Sequence, residues 1–257
     1  MAIVAALNFP PIGELVDWKH FGGIPGLNKT TLLVVAASLI TLGLFMAAGR
    51  KKALVPTGVQ NVVEAVVEFV TDGIILETMG PDGMGYLPLL VTMFCFILFC
   101  NLFEIIPLIQ FPPSSRMAIP MILAVMVWVL YNAVGVKRNG PLGYLRSQTI
   151  PPGVPKALLL LVAPIEFFTN IILRPFTLAV RLFANMLAGH LLLVTFAILT
   201  DTLLFHNSVV FLKPVAVLPA AMDVALTAFE VLVAVLQAFI FTILTAVYLG
   251  LSMHPEH

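Results

Sequence analysis

The chain has 257 residues, of which 60% are hydrophobic and 10% are charged, and its formal net charge is zero. Soluble domains carry about 25% charged residues, and a surface with far fewer charges is poorly solvated by water. The composition therefore predicts an integral membrane protein, and the neutral charge balance gives no indication of a nucleic-acid partner.

Five apolar runs are long enough to cross a bilayer, which takes about 20 residues in a helix. The predicted spans, in chain order, are residues 31–49, 86–109, 117–136, 157–204 and 215–253. The last two exceed the thickness of the hydrocarbon layer, so they must tilt or bend, and Pro164 and Pro175 offer kink points in the first of them. We therefore expect an all-α membrane protein with a single transmembrane domain, residues 31–257, whose last two spans are long and strongly tilted.

Residues 58–78 have helical periodicity but are too polar for a span. One face carries valines at helical spacing and another carries three acids: Val62, Val63, Val66, Val67 and Val70 against Glu64, Glu68 and Asp72. The pattern predicts an amphipathic helix, which lies either on the cytoplasmic membrane surface or against the protein's own flank.

The distribution of basic residues predicts the orientation, because cytoplasmic loops carry an excess of lysine and arginine. With the N-terminus outside, seven basic residues are cytoplasmic: Arg50, Lys51, Lys52, Lys137, Arg138, Arg146 and Lys156. Four are outside: Lys19, Lys29, Arg116 and Lys213. We therefore expect an extracytoplasmic N-terminal segment, residues 1–30, and a cytoplasmic C-terminus.

The last two spans contain six ionisable side chains, each of which costs about 2.5–3.5 kcal/mol at a helix centre on insertion scales. They are Glu166, Arg174, Arg181 and His190 in the first span and Asp223 and Glu230 in the second. Because such groups should face protein or water, we expect a polar path where the two helices meet.

The spacing of polar residues indicates how the two helices face each other. The second helix carries three of them at seven-residue intervals on one face: Asp223, Glu230 and Gln237. On the first helix, Asn185 is one turn beyond Arg181, and His190 is nine residues, or about 13.5 Å, beyond it. If Gln237 lies level with Arg181, then Glu230, about 10.5 Å further out, lies near His190. Asp223 then lies further out still.

This arrangement is typical of a proton path. Histidine and carboxyl groups exchange protons near neutral pH, whereas arginine stays protonated in proteins. Arg181 is therefore predicted to be an electrostatic barrier, with His190 and Glu230 as proton carriers outside it. The same residues also allow structural roles, in which Arg181 pairs with Glu230, His190 only bridges helices, and Asn185 and Gln237 hold the helices together.

Three other features have open or structural interpretations. Arg174 either extends to the interface or pairs with Glu166 on the cytoplasmic side, and Glu104, beside Asn101, is compatible with a merely interfacial position at an outer helix end. The two cysteines, Cys95 and Cys100, are predicted to be buried thiols. Nothing in the sequence suggests a cofactor or a metal site.

Two segments resemble subunit a of the F-type ATP synthase. The run RLFANMLAG at residues 181–189 is similar to the family signature R-L-F-(G/A)-N-M-x-A-G. The runs LQAFIF at residues 236–241 and LTAVYL at residues 244–249 are similar to a later family segment. The resemblance covers about residues 160–250, with both segments in the family's order.

The resemblance implies a non-catalytic subunit that moves protons through two offset aqueous half-channels in the inner (plasma) membrane. Arg181 would face the essential carboxylate of the c-subunit ring. The outer half-channel would be lined by Asn185, His190, Asp223, Glu230 and Gln237, and the inner one by Glu166 and Arg174. Other implied partners are the b-subunit stator stalk, the remaining synthase subunits indirectly, and membrane lipid.

Two details depart from the family pattern. Some bacterial members have an acid at the position of His190 and a histidine at that of Glu230, so the two residue types are exchanged here. Glu166 also lies one position from the family's acid.

The alternative functions are a stand-alone proton-coupled transporter or ion channel, and a membrane assembly scaffold. The chain has no internal repeat of the kind found in many transporters, which disfavours the first. It has no G-x-x-x-x-G-K-[ST] phosphate loop either, so we do not expect it to bind or hydrolyse nucleotide.

Overall fold

The computed structural model describes residues 28–50, 57–106, 109–150, 155–206 and 210–253, and the regular elements in these residues are all helical. The α-helices longer than one turn are α1 (Lys29–Arg50), α2 (Val59–Val70), α3 (Leu87–Leu102), α4 (Ala118–Asn139), α5 (Pro141–Thr149), α6 (Lys156–Phe168), α7 (Arg174–Asp201) and α8 (Val217–Met253). The all-α fold predicted from the sequence is confirmed. Most of the predicted N-terminal segment, residues 1–30, lies outside the described residues.

Five helical stretches are long and apolar enough to cross a membrane, as the sequence predicts. They are Lys29–Arg50, Gly80–Leu102, Ala118–Asn139, Leu158–Phe205 and Lys213–Met253. The second begins and ends earlier than the sequence suggests. It ends at Leu102 because the chain then forms tight turns, in which the N–H of Glu104 donates to the carbonyl of Asn101 at 3.2 Å.

The last two spans are much longer than the bilayer is thick. Helix α8 alone has 37 residues, which corresponds to roughly 55 Å against about 30 Å of hydrocarbon. The fourth span is continuous from α6 to α7 through a π-helical turn at Thr169–Leu173. Pro175 follows that turn and has no N–H to donate to the carbonyl of Ile171, which explains why regular α-helical bonding is interrupted there.

The core of the bundle lies around α8, which packs against α3, α4 and α7, and α4 also packs against α7. Its fully buried residues include Leu90 of α3, Leu182 of α7 and Phe241 of α8. Helix α1 is peripheral and joins the bundle through a small second cluster, in which Leu33 and Ala37 pack on Phe103 and Phe111.

Helix α2 packs against the protein's own flank, which is one of the two placements that the sequence allows. Val70 is fully buried and Val66 and Val67 pack on the core. The ring of Phe69 lies 5.8 Å from that of Phe94 and 5.7 Å from that of Phe239. The acidic face of the helix stays exposed.

Long-range contacts define two opposite ends of the bundle, which we call the outer and inner ends after the predicted orientation. At the outer end, the Lys29 ammonium donates to the carbonyl of Ile109 at 2.6 Å. At the inner end, the Asn139 amide donates to the carbonyl of Ser252 at 3.1 Å.

Candidate functional site

Helices α7 and α8 run antiparallel and bring several of the predicted polar residues together. Asn185 Nδ2 donates to Gln237 Oε1 at 2.7 Å. One turn further out on α7, Gly189 lies so close to the Glu230 carboxyl that a Cβ at this position would overlap it. The missing side chain of Gly189 is therefore what admits Glu230 to the helix interface.

The register of these helices differs from the expectation by about one turn. The spacing argument puts Gln237 level with Arg181, whereas in the structure Gln237 bonds Asn185, one turn outward. The rise per residue fixes separations within each helix but not the translation of one helix along the other. Here the Asn185–Gln237 hydrogen bond and the close approach at Gly189 fix that translation.

The acid at ion-pair distance from His190 is Glu104, which corrects the expected pairing with Glu230. His190 Nδ1 lies 3.6 Å from Glu104 Oε1, and their side chains are only 7% and 2% exposed. Glu104 follows the second span, in the turn after α3. Burial raises the pKa of its carboxyl above the usual range, and the neighbouring His190 opposes that rise. Glu230 is close enough to Glu104 for the two carboxyl groups to interact electrostatically.

A cavity of about 140 Å³ lies beside this pair at the outer end. Its polar lining comes from three elements and consists of Glu104, Gln110, His190, Asp223 and Thr227. Liquid water occupies about 30 Å³ per molecule, so the cavity has room for a small cluster. Asp223, predicted to be the outermost group, thus shares this cavity with His190.

Three buried polar atoms between the cavity and Gln237 have no hydrogen-bond partner among the described residues: Glu104 Oε1, Glu230 Oε2 and Gln237 Nε2. Leaving such an atom without any partner costs about 1–3 kcal/mol, so atoms of this kind ordinarily bind water. They indicate that hydration extends from the cavity along the α7–α8 interface.

Arg181 lies on the exposed side of α7, one turn inward of Asn185. Within the described part of the chain it has neither an ion pair nor a hydrogen bond, so the structural pairing with Glu230 is not observed. Ala184 and Ala188 continue the exposed face. Because these residues are small, the backbone of a neighbouring helix can approach this face closely.

At the inner end, the polar residues bond to one another around Asn170 in the π-helical turn. Asn170 Nδ2 donates to the carbonyl of Gln148 at 2.7 Å and to Glu166 Oε2 at 3.4 Å. Tyr131 donates its hydroxyl to the Asn170 carbonyl at 2.9 Å. Asn170 Oδ1 is buried and has no hydrogen-bond partner among the described residues.

Arg174 lies beside this network. Its guanidinium carbon is 5.4 Å from the centroid of the Tyr248 ring, a cation–π distance. Among the residues that the structure describes, no ion pair joins Arg174 to Glu166, although the sequence allows one.

Comparison with known proteins gives the class of protein to which this geometry belongs. Residues 30–250 match the family model described as the ATP synthase A chain. The chain belongs to this family. It is 43% identical to ATP synthase subunit a of a Nocardioides species, over 97% of this chain and 91% of the relative. It is 44% identical to that of Frankia alni, over 90% and 79%. For Rhodococcus erythropolis the identity is 39%, over 90% and 84%.

Membership in the ATP synthase A chain family makes the chain a non-catalytic, proton-translocating subunit of a rotary F-type ATP synthase and a multi-pass membrane protein. The resemblance that the sequence motifs indicate is confirmed. This membership argues against a stand-alone transporter and an assembly scaffold.

Glu104 belongs to this site, although its position in the sequence is also compatible with a merely interfacial role. The available signal was an acid one turn beyond Asn101 at the end of an apolar span. Asn101 is itself fully buried and accepts a hydrogen bond from Ser114 Oγ at 2.9 Å. This bond joins the end of α3 to the loop before α4, and so helps to set the position of Glu104.

Proposed function

We propose that the chain forms two offset aqueous half-channels, which load and unload carboxylic acids on a rotating ring of c subunits. Arg181 separates the half-channels. Protons enter at the outer end by way of Asp223, Glu104 and His190 and pass Glu230 and the Asn185–Gln237 pair. The inner half-channel begins near Glu166, Asn170 and Arg174.

One observation carries the proposal: Arg181 is an exposed cation within a membrane span, without an acidic partner in the described part of its own chain. A guanidinium facing lipid is unfavourable by about 2.5–3.5 kcal/mol on insertion scales. The position is therefore stable when a neighbouring chain supplies a carboxylate, which is the chemistry expected of the ring.

The attraction between these groups is large enough to drive deprotonation. At about 4 Å and an effective dielectric constant of about 20, two opposite charges attract by about 4 kcal/mol, equivalent to roughly three pKa units. Desolvation of the carboxylate works against this attraction. Because arginine keeps its proton, a hydrogen ion cannot cross the site except on the ring acid.

The outer path is supported by the order of its groups along α7 and α8. Asp223, Glu104 and His190 border the 140 Å³ cavity. Glu230, against Gly189, comes next, and the Asn185–Gln237 bond follows one turn before Arg181. Proton exchange is therefore supported step by step from the outer end to the barrier.

The charge distribution and the family support the proposed orientation and partners. By the predicted topology, seven of the eleven basic residues outside Arg174 and Arg181 are on the same side as the C-terminus, which supports an outer N-terminus. The exposed face around Arg181, with Ala184 and Ala188, supports close contact with the c-ring. The b-subunit stator stalk is a further partner that membership in the family implies.

The direct test is the change Arg181→Ala in the assembled synthase. Without the cation, the ring acid keeps its proton, and ATP-driven proton pumping into inverted membrane vesicles should fall at least about 100-fold. The matched control is Arg138→Ala. Arg138 is an exposed residue 4.0 Å from Asp82, and such surface pairs contribute little. Normal pumping by the Arg181 variant, with the subunit present in the complex, would contradict the proposal.

A further inference from the structure

Lys29 begins helix α1 and reaches across to the loop between α3 and α4. Its ammonium group donates to the Ile109 carbonyl at 2.6 Å and lies 5.7 Å from the centroid of the Phe111 ring. One side chain therefore holds two residues of this loop, on either side of Gln110.

Phe111 connects Lys29 with His190. The ring of Phe111 is 1% exposed, and its centroid lies 5.9 Å from that of the His190 imidazole at an interplanar angle of 85°. The Lys29 Nζ lies 5.7 Å from the Phe111 centroid, and that centroid lies 5.9 Å from the imidazole centroid, so the ammonium is within about 12 Å of the imidazole. Lys29 is thus a cation in the immediate surroundings of the outer proton path.

Gln110 has a strained backbone conformation, so the loop needs contacts such as the Lys29 bond to hold its shape. Its φ angle is 39°, in the left-handed region that non-glycine residues seldom adopt, and it lines the cavity with His190 and Asp223. A conformation of this kind persists when its neighbours constrain it. Here the constraints are the Lys29 bond to Ile109 on one side and the buried Phe111 ring on the other.

We propose that Lys29 is a positioning residue for proton entry, which holds residues 109–111 against His190 and whose positive charge opposes proton binding in the cavity. The inference rests on the proposed function, because it requires protons to enter through this cavity. It adds a residue outside the two long helices to the groups that control loading.

Other charged groups also act on His190. At the outer end these are Glu104 in the turn after α3, Asp223 and Glu230 on α8, Arg116 in the loop before α4 and Asp201 on α7. Further inward, α7 carries Arg174 and Arg181, and the inner end of α4 carries Lys137 and Arg138. The positive charge of Lys29 opposes the negative charges of the nearby acids in the field at the cavity. Removing that charge therefore makes the cavity take up protons at higher pH.

The expected shift follows from the distance. A unit charge about 12 Å away changes proton affinity by about 0.3 to 1 pH unit, for effective dielectric constants of about 80 down to 20. In inverted vesicles the lumen corresponds to the outer side. The rate of ATP synthesis at fixed external pH and membrane potential should therefore be half-maximal at a lumenal pH about 0.3 to 1 unit higher in Lys29→Met.

The experiment compares four enzymes: the unchanged synthase, Lys29→Met, Lys29→Arg and Lys213→Met. The arginine variant keeps both the charge and the donor, so its pH profile should match that of the unchanged enzyme. Lys213 is an exposed basic residue at the same end, so its removal should leave the profile in place. If Lys29→Met fails to assemble, as judged by the amount of this subunit in the membranes, Lys29→Gln takes its place.

An unshifted profile in an assembled Lys29→Met enzyme would overturn the inference. So would a shift of equal size in Lys29→Arg or Lys213→Met, because the effect would then not depend on the Lys29 charge. Neither result bears on the proposed role of Arg181 as the barrier between the half-channels. Failure of the proposed function is recognised separately, by normal pumping in Arg181→Ala.

Discussion

The outer and inner ends of the α7–α8 pair differ in how their polar groups are satisfied. At the outer end, Glu104, His190 and Asp223 border a cavity, and several buried polar atoms have no protein partner among the described residues. At the inner end, the Asn170 amide N–H group and the Tyr131 hydroxyl are both bonded within the chain. The outer end is suited to hydration and proton exchange, whereas the inner end is held mainly by fixed hydrogen bonds.

This difference suggests that the two halves of the proposed path are completed differently. The groups named for the outer half, from Asp223 to Asn185, all belong to this chain. The inner group near Glu166 and Asn170 is partly closed by Gln148 of α5. We therefore expect the inner exit to depend more on the surface of the partner ring, and the outer entrance to depend more on side chains of this chain.

The largest effect within the outer half is expected from Gly189→Ala. A Cβ at Gly189 would overlap the Glu230 carboxyl, so the carboxyl must move away from its place in the α7–α8 interface. ATP-driven proton pumping should fall about tenfold or more. Gly143→Ala is the matched control, because its Cβ would meet nothing closer than Asn139 Cβ at 3.8 Å.

A shorter acid sharpens this test. Combining Gly189→Ala with Glu230→Asp makes room for the new methyl group, so pumping should recover in part. If Gly189→Ala pumps within twofold of the unchanged enzyme, the close approach at this position has no bearing on proton flux.

A medium effect is expected for the contact between Glu104 and His190, measured by a double-mutant cycle on proton flux. The changes are Glu104→Gln and His190→Gln, and a coupling energy of about 1 kcal/mol or more is expected for groups 3.6 Å apart. The same cycle between His190 and Glu166, at opposite ends of the path, should be additive within about 0.5 kcal/mol. Additivity in the first cycle would count against Glu104 as part of the outer path.

The smallest effect is expected at the inner end, from Tyr131→Phe. This change removes one hydrogen bond to the Asn170 carbonyl, worth about 0.5–1.5 kcal/mol, and pumping should fall about two- to fivefold. A Tyr131→Phe defect larger than that of Gly189→Ala would reverse the comparison between the two ends. The assay is the same vesicle pumping measurement, with subunit content checked in each membrane preparation.

Much of the fold follows from local sequence patterns. The five spans are visible because apolar length alone determines whether a helix can cross a bilayer. The valine stripe of α2 predicts a helix with one packed face, and Val70 is buried as that stripe requires. The polar face of α8 is likewise predicted from seven-residue spacing, and Glu230 and Gln237 are both buried in the structure.

The pairing between elements is less predictable, because it depends on contacts between residues far apart in the chain. The contact of Glu104 with His190 joins the turn after α3 to α7, and no periodicity within either segment indicates it. The translation of α7 along α8 depends on the Asn185–Gln237 bond. Residue spacing predicts separations only within one helix, so the expected register of α7 against α8 is wrong by one turn.

The exposure of Arg181 also has a consequence for biogenesis. The isolated chain carries, within a membrane span, an exposed guanidinium whose charge is compensated by no acid among its own described residues. If the c-ring docks on this face as proposed, its carboxylate removes that penalty, so the counter-ion used during rotation would also favour assembly of the newly inserted subunit with the ring.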